Sequence, residues 1–298
     1  MVFRSVDENH RPLMVNSYNL MSDEYDLYDA TMPFYQNSKR TTQHFLSRFL
    51  PYWQNGIVLD VGCGTGLQTL EFAQKAKKVF ALDLVEGLLR KAKHKVRARG
   101  FRNVEFMNGD ATRIPLMSSS VDYVCAYGDV MGHLVDGIGP DGKGNHAYER
   151  AISEMARVCR NGGIVTLEYD NKWHAGLLYS LRELASAVRT RSRGDIRFWR
   201  YEYIRFDSAV DLPYKTYTFK EMRLLLELYG LQVLEKSGIH ILSSVIPEVY
   251  QTPPKKRPPL SKFFGNLILN IGKFDFLIGE VYPFYKLGYS AIVVARKQ

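Results

Sequence analysis

An α/β fold built on a doubly wound, mostly parallel sheet is predicted by three observations. Short apolar runs recur near residues 57–61, 78–83, 103–108, 121–126 and 163–169, and helical patterns separate them at about 38–50, 66–77, 85–99 and 145–160. The first run, Val58-Leu-Asp-Val61, ends on Gly62, Gly64 and Gly66, and a helix pattern follows at once in Leu67 to Ala73. Strands alternating with helices at this pitch bury a parallel sheet under helices on both faces. Later, Phe219 to Tyr229 reads as a helix closed by Gly230, while 231–236 and 289–295 read as strands, seven in all.

The glycine turn is the most informative stretch. A turn of glycines between a buried strand and a helix start lets a ligand lie against bare backbone. The spacing is not that of a dinucleotide fingerprint, whose third glycine or alanine stands three places after the second; here that place holds Leu67. The second strand ends at Asp83, 21 residues beyond Gly62, where a ribose-binding acid belongs. The third is followed by Gly109-Asp110-Ala111 and the fourth by Tyr127-Gly128-Asp129. Acids at the carboxyl ends of successive strands suit a cationic, hydroxyl-rich ligand without phosphates, which are the features of S-adenosylmethionine.

Five segments in order carry a family resemblance: Val58-Leu-Asp-Val-Gly-Cys-Gly-Thr-Gly66, Val79-Phe-Ala-Leu-Asp83, Asn103 to Pro115, Val121-Asp-Tyr-Val124 and Glu154 to Val165. Together, over roughly residues 38–170, they resemble the class I S-adenosylmethionine-dependent methyltransferases, within them the small-molecule and quinone group. The resemblance implies a Rossmann-like sheet whose last strand is antiparallel and inserted beside the fifth. It also implies that Asp60, Gly62, Gly64 and Gly66 hold the methionine end and Asp83 the ribose hydroxyls, with Cys63 and Leu84 as further cofactor contacts. Asp110 and Ala111 would meet the adenine, and the Tyr127 carbonyl the methionine ammonium. The expected reaction is methyl transfer to a small-molecule or lipid-like acceptor. A cofactor-binding regulator without catalysis, an RNA or protein methyltransferase, and an oxidoreductase are the alternatives.

Domain boundaries follow from where this pattern holds. Residues 1–37 read as an N-terminal helical cap, 38–170 as the cofactor-binding core and 171–217 as an insertion acting as acceptor lid. Residues 218–298 read as the end of the sheet, with a basic amphipathic helix inserted at about 255–286. The cap is rich in tyrosine, and look-alike enzymes close such a helix over the cofactor; Tyr28 and Tyr35 are its candidates for the ligand. The lid carries Trp173, a helical stretch 175–190, and Arg197 and Arg200 interleaved with aromatics, which suits either gripping a flat or anionic acceptor or plain packing. His133 and Asp129 are the candidate base and acceptor contacts, because an imidazole titrates near working pH. The loop from Asp136 to Asn145 reads as the rim of the acceptor cleft.

Composition narrows the function classes. The chain of 298 residues is 46% apolar with a net charge of +9, and residues 255–298 hold +6 of that charge. There Phe263, Phe264, Leu267, Ile268, Ile271, Phe274 and Ile278 recur at helical spacing opposite Lys262, Asn266, Asn270 and Lys273. Such a helix suits packing on the sheet, a homodimer contact or a peripheral membrane surface. The three cysteines, Cys63, Cys125 and Cys159, lack metal-ligand spacing, so no metal is expected. No signal peptide and no spanning segment are read, which predicts a cytoplasmic protein, at most peripheral to a membrane. Nucleic acid is not the expected partner, because the place after the fourth strand lacks the proline-aromatic motif of base amino-methylation.

Overall fold

The structure is a computed structural model that describes residues 10–128, 130–135, 146–174, 196–203, 208–246 and 261–298. Its centre is a seven-stranded sheet: β1 (Ile57–Val61), β2 (Lys78–Asp83), β3 (Val104–Asn108), β4 (Val121–Ala126), β5 (Cys159–Asp170), β8 (Leu231–Ile239) and β9 (Ser290–Lys297). The spatial order is β3-β2-β1-β4-β5-β9-β8. β1 to β5 pair in parallel, and β9 lies antiparallel between β5 and β8, as the resemblance implied.

Both faces of the sheet are covered, which is why its central strands read as unbroken apolar runs. Successive residues point to opposite sides. From β1, Leu59 and Val61 join Ile152 and Met155 of helix α7 (Ala147–Val158) and Met222 and Leu226 of α8 (Phe219–Leu228). Val58 faces the other way, toward Phe45 and Leu46 of α2 (Pro33–Arg48), Trp53 of α3 (Leu50–Trp53) and Phe72 of α4 (Leu67–Ala73). α5 (Glu86–Ala98) completes the β2–β3 crossover. α8 begins with a capping box, in which Thr218 and Glu221 satisfy each other's backbone N–H groups. The chain reverses its strand order between β2 and β4 on either side of β1, and crevices in such sheets open at the carboxyl ends of the strands there.

Three departures from the sequence reading bear on the site. α2 begins at Pro33, a favourable first helical residue, so a helix runs across the expected cap boundary at residue 37. Among the described residues the cap consists of helix α1 (His10–Thr31) and the first turn of α2. Part of the expected lid is a two-stranded antiparallel hairpin, β6 (Ile196–Tyr203) and β7 (Ser208–Lys215). Its aromatic content favours extended backbone, and among the described residues β7, which carries Pro213, pairs with β6 alone, where a strand tolerates a proline. The expected helix at 175–190 and the loop from Asp136 to Asn145 lie outside the described residues.

The basic amphipathic stretch is the helix α9 (Ser261–Ile278), inserted between β8 and β9 and laid along α2. Its inward side carries glycines. A Cβ on Gly272 would stand 2.0 Å from the Asn37 amide, which donates to Ile268 O at 3.0 Å. Asp275 is buried and accepts from Leu242 N at 2.7 Å and from Ser243 Oγ at 2.6 Å. Next to it, His240 stacks on Phe34 at 3.5 Å, and its Nε2 lies 2.7 Å from Ser38 Oγ.

Burial pushes the His240 imidazole down to about 3, so the folded chain holds it neutral. The unfolded chain takes up a proton near 6.5 that the folded chain refuses. Its contribution is therefore whole above 6.5 and is lost as pH falls toward 3, at up to about 1.4 kcal/mol per pH unit. Calorimetric melting of His240→Asn should lose less midpoint than the wild type between pH 6.5 and about 5; equal slopes would contradict this assignment.

Candidate active site

The site grows from the turn between β1 and α4. Gly62, Gly64 and Gly66 all hold positive φ, at 67°, 53° and 84°, which side chains rarely adopt. They do different work. A Cβ on Gly62 would meet Val130 Cγ2 at 2.2 Å, and one on Gly66 would meet Ala92 Cβ of α5 at 2.9 Å. A Cβ on Gly64 would have no atom within 4 Å, so at Gly64 the main chain faces open space.

Asp83, at the carboxyl end of β2, fixes this loop. Its buried carboxylate accepts from Gly64 N at 2.7 Å and Val85 N at 2.8 Å, while Gly62 N and Cys63 N donate to Leu82 O at 2.7 and 3.0 Å. Burial raises the Asp83 carboxyl above its ordinary range, against the pull of the two N–H donors. A cleft opens beside the loop, its space open to solvent included about 820 Å³. Gly62, Gly64, Asp83, Leu84, Asp110, Ala111, Tyr127 and His133 line it, which brings together eight of the residues expected from the sequence. Asp110 accepts from Thr112 N at 2.8 Å and from the Arg11 guanidinium.

Five expected residues stand elsewhere. Asp60 does not line the cavity: it accepts from Thr69 Oγ1 at 2.5 Å and lies 3.5 Å from Cys125 Sγ, beneath the loop. Burial pushes its carboxyl up to about 6. The Cys63 side chain turns into a small cluster with Ala81 and Leu89, and Gly66 serves the packing of the loop on α5. Tyr35 belongs to α2 and packs edge-on against Phe34, while Trp173, past the end of β5, has Lys172 Nζ 5.9 Å from its ring. Asp129 and the side chains of Tyr28, Arg197 and Arg200 lie outside the described residues.

The cap supplies the cavity's other wall. Arg11, Met14, Tyr18 and Tyr25 of α1 line it, on one helical face. Polar contacts pin α1 in place: Gly87 N donates to Asn19 Oδ1 at 2.8 Å, Lys91 meets Asp23 at 2.6 Å and Thr65 Oγ1 donates to Asp26 Oδ1 at 2.7 Å. Tyr18 Oη lies 2.8 Å from His133 Nε2. His133 ends the short helix α6 (Val130–His133), anchored by the Tyr217 hydroxyl donating to Met131 O at 2.9 Å. Edge contacts from Tyr18 at 5.4 Å and Tyr214 of β7 at 5.2 Å fix its ring. Tyr18 and Tyr25 thus line the cavity although the sequence reading did not select them, and Tyr214 reaches it only through the His133 ring. The spacing Arg11, Met14, Tyr18, Tyr25 along one helical face was the signal for the cap.

The residues present fit S-adenosylmethionine on structural grounds: exposed main chain at Gly64, a buried carboxylate at a strand end and a second carboxylate at Asp110 around one cavity. Among the described residues no group of three or more His, Cys, Asp or Glu side chains is placed to hold a metal.

Comparison with known proteins agrees. Residues 58–163 match the family model described as a methyltransferase domain. The demethylmenaquinone methyltransferase of Geobacillus stearothermophilus is 31% identical over 147 residues, 48% of this chain and 57% of that protein. The chain thus spans little more than half of that relative's length. The demethylmenaquinone methyltransferase of Bacillus cereus is 26% identical over 234 residues, 74% of this chain and 85% of that one. Among solved structures, a SAM-dependent methyltransferase from Methanosarcina mazei shares the fold with a TM-score of 0.54, at 19% identity over 84% of this chain and 96% of that one. Residues 58–163 thus match a methyltransferase domain, and in sheet order, relatives and solved fold the chain is similar to the class I S-adenosylmethionine-dependent methyltransferases.

Proposed function

We propose that the chain transfers a methyl group from S-adenosylmethionine to a flat, hydroxyl-bearing small molecule of quinol type, with a lipid-like body. One observation carries this reading: a single cavity joins the Gly64–Asp83 cradle to the Tyr18–His133 pair under an aromatic cap. The names of the relatives support the acceptor class. So does the cavity wall, where Met14, Tyr25, Leu88 and Leu134 offer apolar surface to a ring system.

When bound, the cofactor supplies a methyl group already activated by its sulfonium. The main chain of Gly62, Gly64 and Tyr127 would hold its methionine end, Asp83 its ribose, and Asp110 with Ala111 its adenine. The protein's part is then alignment and exclusion of water, which can supply most of the acceleration. α1 closes the cleft, and the polar contacts of Asn19, Asp23 and Asp26 hold it there. An acceptor hydroxyl in the aromatic end gives its proton to the Tyr18–His133 pair, and Tyr214 keeps the imidazole from turning away.

Transfer of labelled methyl to a panel of demethylated quinols and simple phenols tests the reading, with label expected on the quinols. His133→Asn should lower kcat by about 10²–10⁴-fold while cofactor affinity stays within about threefold. Asp83→Asn should instead weaken cofactor binding, by about 1–3 kcal/mol in calorimetry, because it loses the charged acceptor at the ribose. Tight cofactor binding with no label on any acceptor, or full turnover by His133→Asn, would refute it.

A further inference from the structure

We infer that the outward face of α9 and the turn that follows it form a docking surface for an anionic lipid bilayer. The inference does not depend on the identity of the acceptor. The packing of α9 decides which side is free: Gly265, Ile268, Gly272, Asp275 and Gly279 are buried, and the glycines abut Pro33, Asn37 and Ser237. The opposite side leaves large apolar groups in water, with Phe263 63%, Phe274 53%, Leu277 70% and Tyr282 70% exposed. Single exposed apolar residues are ordinary, whereas three on one side of one helix, Phe263 before and Phe274 and Leu277 after the exposed Asn266 and Asn270, mark a contact surface.

Charge selects the occupant. Both acids of this segment are engaged within the fold. Asp275 accepts from Leu242 N and Ser243 N and Oγ, and Glu280 holds Arg48 at 3.0 Å. Lys262, Lys273 and Lys286 remain exposed around the apolar groups. Two copies meeting through this face would set lysines against lysines. An anionic bilayer offers phosphates to the lysines and an acyl boundary to Phe263, Phe274 and Leu277, the arrangement of helices that lie in a membrane interface. No described helix is long and apolar enough to cross a membrane. α9 therefore lies on the bilayer instead of passing through it. Its first turn sits beside the cap, since Gly265 abuts Pro33 and the preceding Met32 packs in the α1 cluster.

Co-sedimentation of the full chain with vesicles tests this, using phosphatidylcholine alone and phosphatidylcholine mixed with phosphatidylglycerol. The wild type should bind the anionic vesicles about tenfold more tightly or better, and added salt should weaken that binding. Phe274→Ser with Leu277→Ser should reduce it by about tenfold or more. Lys262→Glu with Lys273→Glu, which removes no packing, should do the same, and the thermal midpoint should hold in both variants. The inference fails if the wild type stays in the supernatant with anionic vesicles or if the lysine variant sediments like the wild type. It also fails if sedimentation velocity shows a dimer that Phe274→Ser with Leu277→Ser dissociates.

Discussion

The clasp of the Asp83 carboxylate on Gly64 N and Val85 N is the contact on which the site depends. Without it, a run of three glycines would have many conformations and no reason to keep one. With it, the end of β2 dictates the path of the loop after β1, and the loop in turn places open main chain at Gly64. The arrangement costs desolvation, visible in the raised Asp83 carboxyl and in Asp60, pushed up to about 6. A cationic ligand beside the Asp83 carboxylate would offset part of that cost.

Around this rigid half, the facing side of the cleft is assembled from three separate pieces of chain. α1 brings Tyr18 and Tyr25, α6 brings His133, and β7 brings Tyr214. Gly132 permits the meeting, since a Cβ there would fall 2.0 Å from the Tyr214 ring. Leu212 of the same strand packs with Tyr18, Met21, Val85 and Leu88, so hairpin and cap are one packed unit. A site with a fixed cradle and an assembled wall suits an enzyme whose cofactor is constant and whose acceptor varies among relatives.

How much of this could be read in the sequence follows the local physics. β1, β2 and β4 announce themselves as apolar runs because both of their faces are buried, and Asp83 stands out as an acid at a strand end. The distinct tasks of Gly62, Gly64 and Gly66 were not visible, because they are set by Val130, Ala92 and empty space, none of which is local. Asp60 looked like a ligand group and is engaged by Thr69, nine residues on. The cap hid its function face. Leu13, Leu20 and Leu27 are exposed in the structure while polar and aromatic residues face the cavity, so apolar periodicity points the wrong way. In β6 the arginines drew attention to charge and away from its pairing with β7. In α9 the helical pattern was plain, yet its buried side is the one with glycines.

A crystal structure of the chain with S-adenosylhomocysteine measures directly whether the glycine turn and Asp83 hold the cofactor. The ribose hydroxyls are expected at hydrogen-bond distance from Asp83, about 2.5–3.0 Å, with the amino-acid end against Gly64 and the loop path unchanged. A ligand lodged away from Asp83 in an otherwise intact fold would contradict it.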